Sequence, residues 1–96
     1  MKIVKDAIAG TLESSDLQVK VSPQKQLEIV IHSDVIHQFG DQITIIVEDT
    51  LKKLGLTEGL IIIEDKGALD CVIKARVEVA VLRGSEVNEL NWRTLK

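Results

Sequence analysis

Two consecutive segments of the chain alternate apolar and polar residues and are separated by a short turn. Leu17–Val21 is apolar at every second position, and so is Leu27–Ile31. A period of two places the apolar side chains of a strand on one face, so both segments are predicted to be half-buried β-strands. The connection Ser22–Lys25 contains Pro23, which cannot occupy a central ladder position. The two strands are therefore predicted to form an antiparallel hairpin.

The period changes to three and four in the next segment, which predicts an amphipathic helix. Ser33 or Asp34 can cap its start, and Gly55 supplies its stop. Gly40 within the pattern marks a kink, a close packing contact, or a later start at Asp41. The positions of the stripe are Val35, Ile36, Phe39, Ile43, Ile46, Val47, Thr50, Leu51 and Leu54.

Three further segments carry structural signals of different clarity. The apolar run Leu60–Ile63 is bounded by turn residues, which predicts a strand buried on both faces. Lys2–Thr11 is either a leading strand or a loosely docked arm. Leu69–Leu82 fits both periods, and a strand over Cys71–Glu78 passing into a short helix over Val79–Arg83 is favoured. On that strand the cysteine is expected to be a small buried hydrophobic residue.

These elements predict an α+β domain with a small, mostly antiparallel sheet packed on one main helix. The 96 residues correspond to one domain. Phe39 and Trp92 are the only aromatic residues, so the core must consist of β-branched and leucine side chains, which suits strands packed against a helix. The domain is predicted to span residues 1–84, followed by a polar tail over residues 85–96.

Composition excludes several functional classes. The chain has 12 Lys and Arg against 15 Asp and Glu, with no basic stripe, which argues against nucleic-acid binding. No apolar run approaches the ~20 residues of a transmembrane helix, so no membrane contact is expected.

The single cysteine allows no internal disulfide, and a cytoplasmic location is expected. His32 and His37 are poorly spaced for joint metal ligation, and no metal site is predicted. Phosphate-binding glycine loops and hydrolase motifs are absent, so the chain is predicted to lack its own catalytic apparatus.

Two adjacent hydroxyl groups, those of Ser14 and Ser15, lie between the first apolar run and the first predicted strand. The segment Ala7–Val19 contains no His, Lys or Cys that could activate either serine. Because a serine nucleophile needs a base within hydrogen-bond reach, this segment favours a modified serine over a catalytic one. The same residue types are also typical of an ordinary surface turn.

Three motifs in order make the chain resemble a known family. They are AGTLESSD at Ala9–Asp16, QFGDQI at Gln38–Ile43, and DKGALDC at Asp65–Cys71 followed by Ala75-Arg76-Val77. Together they are similar to the citrate lyase acyl carrier proteins, the gamma subunits of citrate lyase, over Val4 to about Gly84. The Asp-Ser-Leu signature of the four-helix-bundle carriers is absent, so the fold is expected to differ from that bundle.

The resemblance implies a non-catalytic carrier whose Ser14 bears 2′-(5″-phosphoribosyl)-3′-dephospho-coenzyme A through a phosphodiester. Ser15 is the neighbour that a one-residue shift in register would select. The arm is expected to carry acetyl and citryl thioesters while the citrate lyase alpha and beta subunits convert citrate to acetate and oxaloacetate. A prosthetic-group transferase and an acetate:protein ligase are the further expected partners.

Two alternatives remain at this point, namely a carrier of a related malonate-decarboxylase-type complex and an unmodified interaction module. Glu13 and Asp16 are expected to serve the modifying enzyme or the turn. Arg76, Arg83 and the Asp65–Asp70 loop are candidate docking residues for the alpha and beta subunits.

Overall fold

The computed structural model describes residues 1–34 and 40–85, which form a four-stranded sheet and two helices. The α+β class is therefore confirmed, although two helices of equal length pack on the sheet where one main helix was predicted. The elements are β1 (Ala7–Gly10), β2 (Leu17–Ser22), β3 (Leu27–Ser33), α1 (Gly40–Leu54), β4 (Gly59–Asp65) and α2 (Asp70–Gly84).

The sheet has the strand order β1-β2-β4-β3 and is mixed. β2 pairs antiparallel with β1 and with β4, whereas β3 pairs parallel with β4. The predicted β2–β3 hairpin is wrong because β4 lies between the two strands, with Ile61 opposite both Val21 and Ile29. A parallel neighbour requires a crossover connection, and the chain between β3 and β4 contains α1. The apolar β4 thus takes a central position that satisfies its backbone on both sides.

β4 alternates in burial, which corrects the prediction that both of its faces are buried. Ile61 and Ile63 are fully buried, whereas Leu60 and Ile62 are half-buried. The buried side chains of the sheet and of both helices form one cluster. The second face of the sheet is thus only partly covered.

The segment predicted as a strand over Cys71–Glu78 is part of helix α2 instead. Its buried residues Ile73, Val77, Ala80 and Val81 recur at helical spacing and face the sheet. Cys71 lies outside this stripe and is exposed, so the prediction of a buried thiol is also wrong. The charged residues Lys74, Arg76 and Glu78 fit the two-residue period of a strand as well as positions outside the buried stripe of a helix. Packing of the apolar residues against the sheet selects the helix.

The N-terminal segment is both a strand and a docked arm. β1 forms the edge of the sheet, and before it Ile3 is buried, with its amide donating to the Glu58 carbonyl at 3.0 Å. The Gly84 carbonyl accepts the amides of Val4 and Lys5 at 2.8 and 3.1 Å. The end of α2 is therefore pinned to the arm.

Helix α1 ends as predicted, at Leu54, and Gly55 follows with a φ of +75°. Its start at Gly40 is one residue before the alternative start at Asp41. The predicted helical positions Val35, Ile36 and Phe39 lie outside the described residues, as does the tail from residue 86 with Trp92. In the described part of the chain, neither helix is long and apolar enough to cross a membrane.

Candidate functional site

The loop between β1 and β2 presents its two serines at the tip of a tight turn. The Asp16 amide donates to the Glu13 carbonyl at 3.2 Å, which places Ser14 and Ser15 at the two central positions. Both serines are exposed. Ser15 has a φ of +65°, the left-handed conformation that few residues other than glycine adopt. The turn predicted from the sequence is therefore present.

The two serines differ in how the fold uses them. The Ser15 amide donates to the Lys66 carbonyl at 2.9 Å, so its backbone is fixed to a second loop. The Ser14 hydroxyl makes no hydrogen bond to any residue within 1–34 or 40–85. It is an exposed hydroxyl on a fixed backbone, which an external enzyme can reach without breaking a contact.

Asp16 is the residue that holds this turn in place. Its carboxylate accepts the Thr11 hydroxyl at 2.7 Å and the Leu17 amide at 2.8 Å. Arg76 on α2 donates Nε and Nη2 to the two carboxylate oxygens at 3.2 and 3.1 Å. The Thr11 hydroxyl, followed by the Leu17 amide and the guanidinium, lowers the pKa of Asp16 against the raising effect of partial burial. The expected role of Asp16 in the turn is thus what the geometry indicates.

A second loop, residues 65–69, lies directly against the turn. The Lys66 amide donates to the Asp16 carbonyl at 2.9 Å, and the Lys66 carbonyl accepts the Ser15 amide. Asp65 organises this loop, because its Oδ1 accepts the amides of Gly67 and Ala68 at 3.1 and 2.9 Å. The two loops form one bonded unit, which we call the serine platform (residues 11–16 and 65–69).

The serine platform is also anchored at its two edges. Lys66 forms a short ion pair with Asp34, and this partner raises the pKa of the ammonium group. On the other side, Gly10 has a φ of +86°, and a Cβ atom there would lie 1.9 Å from the Leu17 carbonyl oxygen. Only glycine permits the entry to the turn at this point.

Comparison with known proteins identifies the family to which this arrangement belongs. The acyl carrier protein family described as malonate decarboxylase delta subunit (MdcD) matches residues 4–84. The citrate lyase acyl carrier protein of Cronobacter sakazakii is 62% identical over 97 residues and covers 100% of both chains. That of an Enterobacter species is 61% identical over 93 residues, 96% of each chain. The chain belongs to this family of acyl carrier proteins.

The membership confirms the family predicted from the three motifs. One chain of a Pseudomonas malonate decarboxylase hetero-tetramer, in complex with malonate, has a similar fold with a TM-score of 0.72. It is 22% identical in sequence, and the match covers 84% of each chain. The fold of the carrier is therefore shared with a protein of a decarboxylase complex.

The candidate docking residues of this carrier are engaged to different degrees. Arg76 is bound to Asp16 and stabilises the turn, and Arg83 donates to the Ile8 carbonyl at 2.9 Å. The Asp70 carboxylate accepts a hydrogen bond from the side-chain Nε2 of Gln42 at 3.4 Å. Sequence reasoning missed the contact between Asp16 and Arg76, because 60 residues separate them and no local pattern links them.

The acyl carrier shows no second chemical centre in the residues that the structure describes. Residues 1–34 and 40–85 hold no group of three or more His, Cys, Asp or Glu side chains that could bind a metal ion. His32 is exposed at the end of β3, and His37 lies outside the described residues. The serine platform is therefore the candidate functional site.

Proposed function

We propose that this chain is the acyl carrier subunit of a citrate lyase and that Ser14 is the attachment point of its prosthetic group. The group is 2′-(5″-phosphoribosyl)-3′-dephospho-coenzyme A, joined through a phosphodiester. The observation that carries the proposal is the exposed Ser14 hydroxyl, which bonds to none of the described residues, at the tip of a fixed turn in a chain 62% identical to a citrate lyase carrier.

The residues present suit attachment by another enzyme. The Ser14 oxygen would form a bond to the phosphorus of an activated nucleotide donor, as the bond from that phosphorus to a pyrophosphate leaving group breaks. A base of the transferase would take the hydroxyl proton, because the Ala7–Val19 segment supplies no His, Lys or Cys. Ser15 is less suited, because its backbone has the left-handed conformation and its amide is bonded to the Lys66 carbonyl. Any movement of Ser15 toward a transferase would have to break that bond.

When bound, the group supplies a thiol that holds acyl groups as thioesters, while the chain supplies placement. Thr11, Asp16 and Arg76 hold the turn in place. The prosthetic group would therefore move relative to the protein while the loop that carries it stays fixed. Tethering raises the effective concentration of the acyl group at the active sites of the alpha and beta subunits. The carrier itself performs no bond-breaking step, and an acetate:protein ligase reloads the arm in the cytoplasm.

A malonate-decarboxylase-type carrier is the second candidate. The family description and the Pseudomonas structure favour it. The identity of 22% with that structure, against 62% with a citrate lyase carrier, ranks it second. Reconstitution with purified citrate lyase alpha and beta subunits separates the two, because only a citrate lyase carrier restores citrate cleavage.

The attachment site is tested by co-expressing the chain with the transferase and its donor-forming enzyme, followed by intact mass and peptide mapping. Wild-type protein and Ser15→Ala should gain the mass of the arm, and Ser14→Ala should not. Modification of Ser14→Ala at Ser15 would contradict the assignment. Absence of any modification of wild-type protein would favour an unmodified interaction module.

A further inference from the structure

The serine platform exposes two large apolar side chains, Leu12 and Leu69. Leu12 is 52% exposed and Leu69 is 70% exposed. Single exposed leucines are common on protein surfaces and carry no information by themselves. These two differ in their placement, because each belongs to one of the two loops that meet at the proposed attachment site.

Chain geometry and the bonds between the loops keep both leucines near Ser14. Leu12 is two residues from Ser14, and Leu69 is three residues from Lys66, which is bonded to Ser15 and Asp16. Three residues of extended chain span at most about 11 Å. The Cα atom of Leu69 therefore lies within about 11 Å of that of Lys66, in the loop that is bonded to the serine turn.

The polar groups of the platform are mostly engaged within the protein. The Asp16 carboxylate is held by Thr11 and Arg76, and the Asp65 carboxylate by backbone amides. Lys66 is paired with Asp34. Among the described residues of the two loops, the groups left for a partner are the serine hydroxyls, the exposed Glu13 carboxylate, and the apolar side chains of Leu12 and Leu69.

We propose that Leu12 and Leu69 are the docking residues for the enzyme that esterifies Ser14, a role that rests on the proposed function. The enzyme would offer an apolar surface to the two leucines and a cationic rim to Glu13. A cationic rim also suits an active site that holds an anionic nucleotide donor, so the charge of Glu13 complements such a site. Recognition by apolar contact leaves the internal bonds of the turn intact while Ser14 reacts.

Leu27 provides a matched control. It is 39% exposed and lies opposite Gly59 at the start of β4, whereas the serine platform includes Asp65 at the end of that strand. Six residues of strand separate these ends by about 20 Å. Leu27→Ala therefore makes the same chemical change on an exposed leucine far from Ser14.

The test measures initial rates of modification by intact mass at varied carrier concentration, with purified transferase and its activated nucleotide donor. Leu12→Ala with Leu69→Ala should raise KM for the carrier about tenfold or more, with kcat changed less than twofold. Leu27→Ala should leave KM unchanged. Leu12→Met with Leu69→Met should retain most of the wild-type KM, because methionine conserves the apolar volume.

A binding measurement makes the result independent of turnover. On a Ser14→Ala background, the double alanine variant should bind the transferase about tenfold more weakly than the same background with both leucines. An unchanged KM and Kd, or a fall in kcat alone, would overturn the docking role of the two leucines. If the wild-type protein is modified in the same experiment, that result does not affect the proposed function. Failure of the wild-type chain to be modified would instead overturn the proposed function. Equal thermal unfolding of the variants establishes that each is folded.

Discussion

Replacing Arg76 with methionine removes both charged hydrogen bonds that join the serine turn to α2. The methionine retains much of the apolar stem, so the change acts mainly on the contact to Asp16. A buried hydrogen bond to a charged group contributes about 1.5–3 kcal/mol, and exposure reduces that figure. Here the Asp16 side chain is 15% exposed and that of Arg76 is 41% exposed.

We therefore expect Arg76→Met to lower the free energy of unfolding by roughly 1–2 kcal/mol. In a domain of this size, each kcal/mol shifts Tm by about 4–8 °C, so the loss is readily measured by circular dichroism on heating. Urea unfolding of the same samples gives the free energy directly, with m unchanged if the rest of the fold is intact.

Lys53→Met is the control for this experiment. It removes a surface ion pair with Asp49 in which the side chains are 65% and 57% exposed. Such pairs contribute about 0.5 kcal/mol or less. If Arg76→Met is no more destabilising than Lys53→Met, the guanidinium does not hold the turn, and the stabilising role given to its contact with Asp16 is wrong.

Three further predictions concern the glycines, the pH dependence and the thiol. Gly10→Ala should destabilise the domain by about 3 kcal/mol or more, because its Cβ meets the Leu17 carbonyl, whereas Gly55→Ala, which meets nothing, should cost only about 1–2 kcal/mol; equal losses in urea unfolding would contradict this. The lowered pKa of Asp16 adds stability that is fully present above the unfolded value of 3.8 and is lost as the pH falls through the lower folded value. Asp16→Asn should flatten that acid limb of the stability curve, and an unchanged limb would refute the assignment. Cys71, exposed on α2, should react with a maleimide in folded protein nearly as fast as in urea, and strong protection would contradict its placement.

The sequence predicts the local elements of this fold well and their pairing poorly. Periodicity identifies β2, β3 and α1, because the apolar residues of each recur on one face of the element. It does not reveal that β4, about 30 residues after β3 begins, inserts between β2 and β3. The strand order depends on which strand can pair along both of its edges. In this fold β4, with the apolar run Leu60–Ile63, pairs with β2 on one side and β3 on the other.

Helix α2 illustrates a different limit. Its charged residues at 74, 76 and 78 alternate with apolar ones, and its buried residues also recur at helical spacing. Both periods fit the same letters, so burial against the sheet decides between them. The error over Cys71 follows from this choice, because a residue that faces the core in a strand lies outside the buried stripe of the helix.

The proposed attachment residue follows from a motif, whereas the contacts that fix it do not. Ser14 stands out because AGTLESSD resembles the motif of a known family. The partner of Asp16 is Arg76, 60 residues away, and the loop that bonds Ser15 begins 50 residues later. The packing of α2 against β1 and β2 brings Arg76 to Asp16, and the pairing of β2 with β4, in which Leu17 lies opposite Asp65, brings the second loop to Ser15.

The location of flexibility in this carrier provides a last prediction. The Ser15 and Lys66 amides are bonded across the platform although the neighbouring Ser14 is exposed. We expect both amides to exchange with solvent deuterium more slowly than those of Leu12 and Lys25. These two residues lie in exposed loops, and their amides make no backbone hydrogen bond within residues 1–34 and 40–85. Arg76→Met should speed exchange at Ser15 and Lys66 and leave central β4 amides such as that of Ile62 unchanged. Rapid exchange at Ser15 in the wild-type protein would mean that the loop itself swings, and the rigid base proposed for the arm would be wrong.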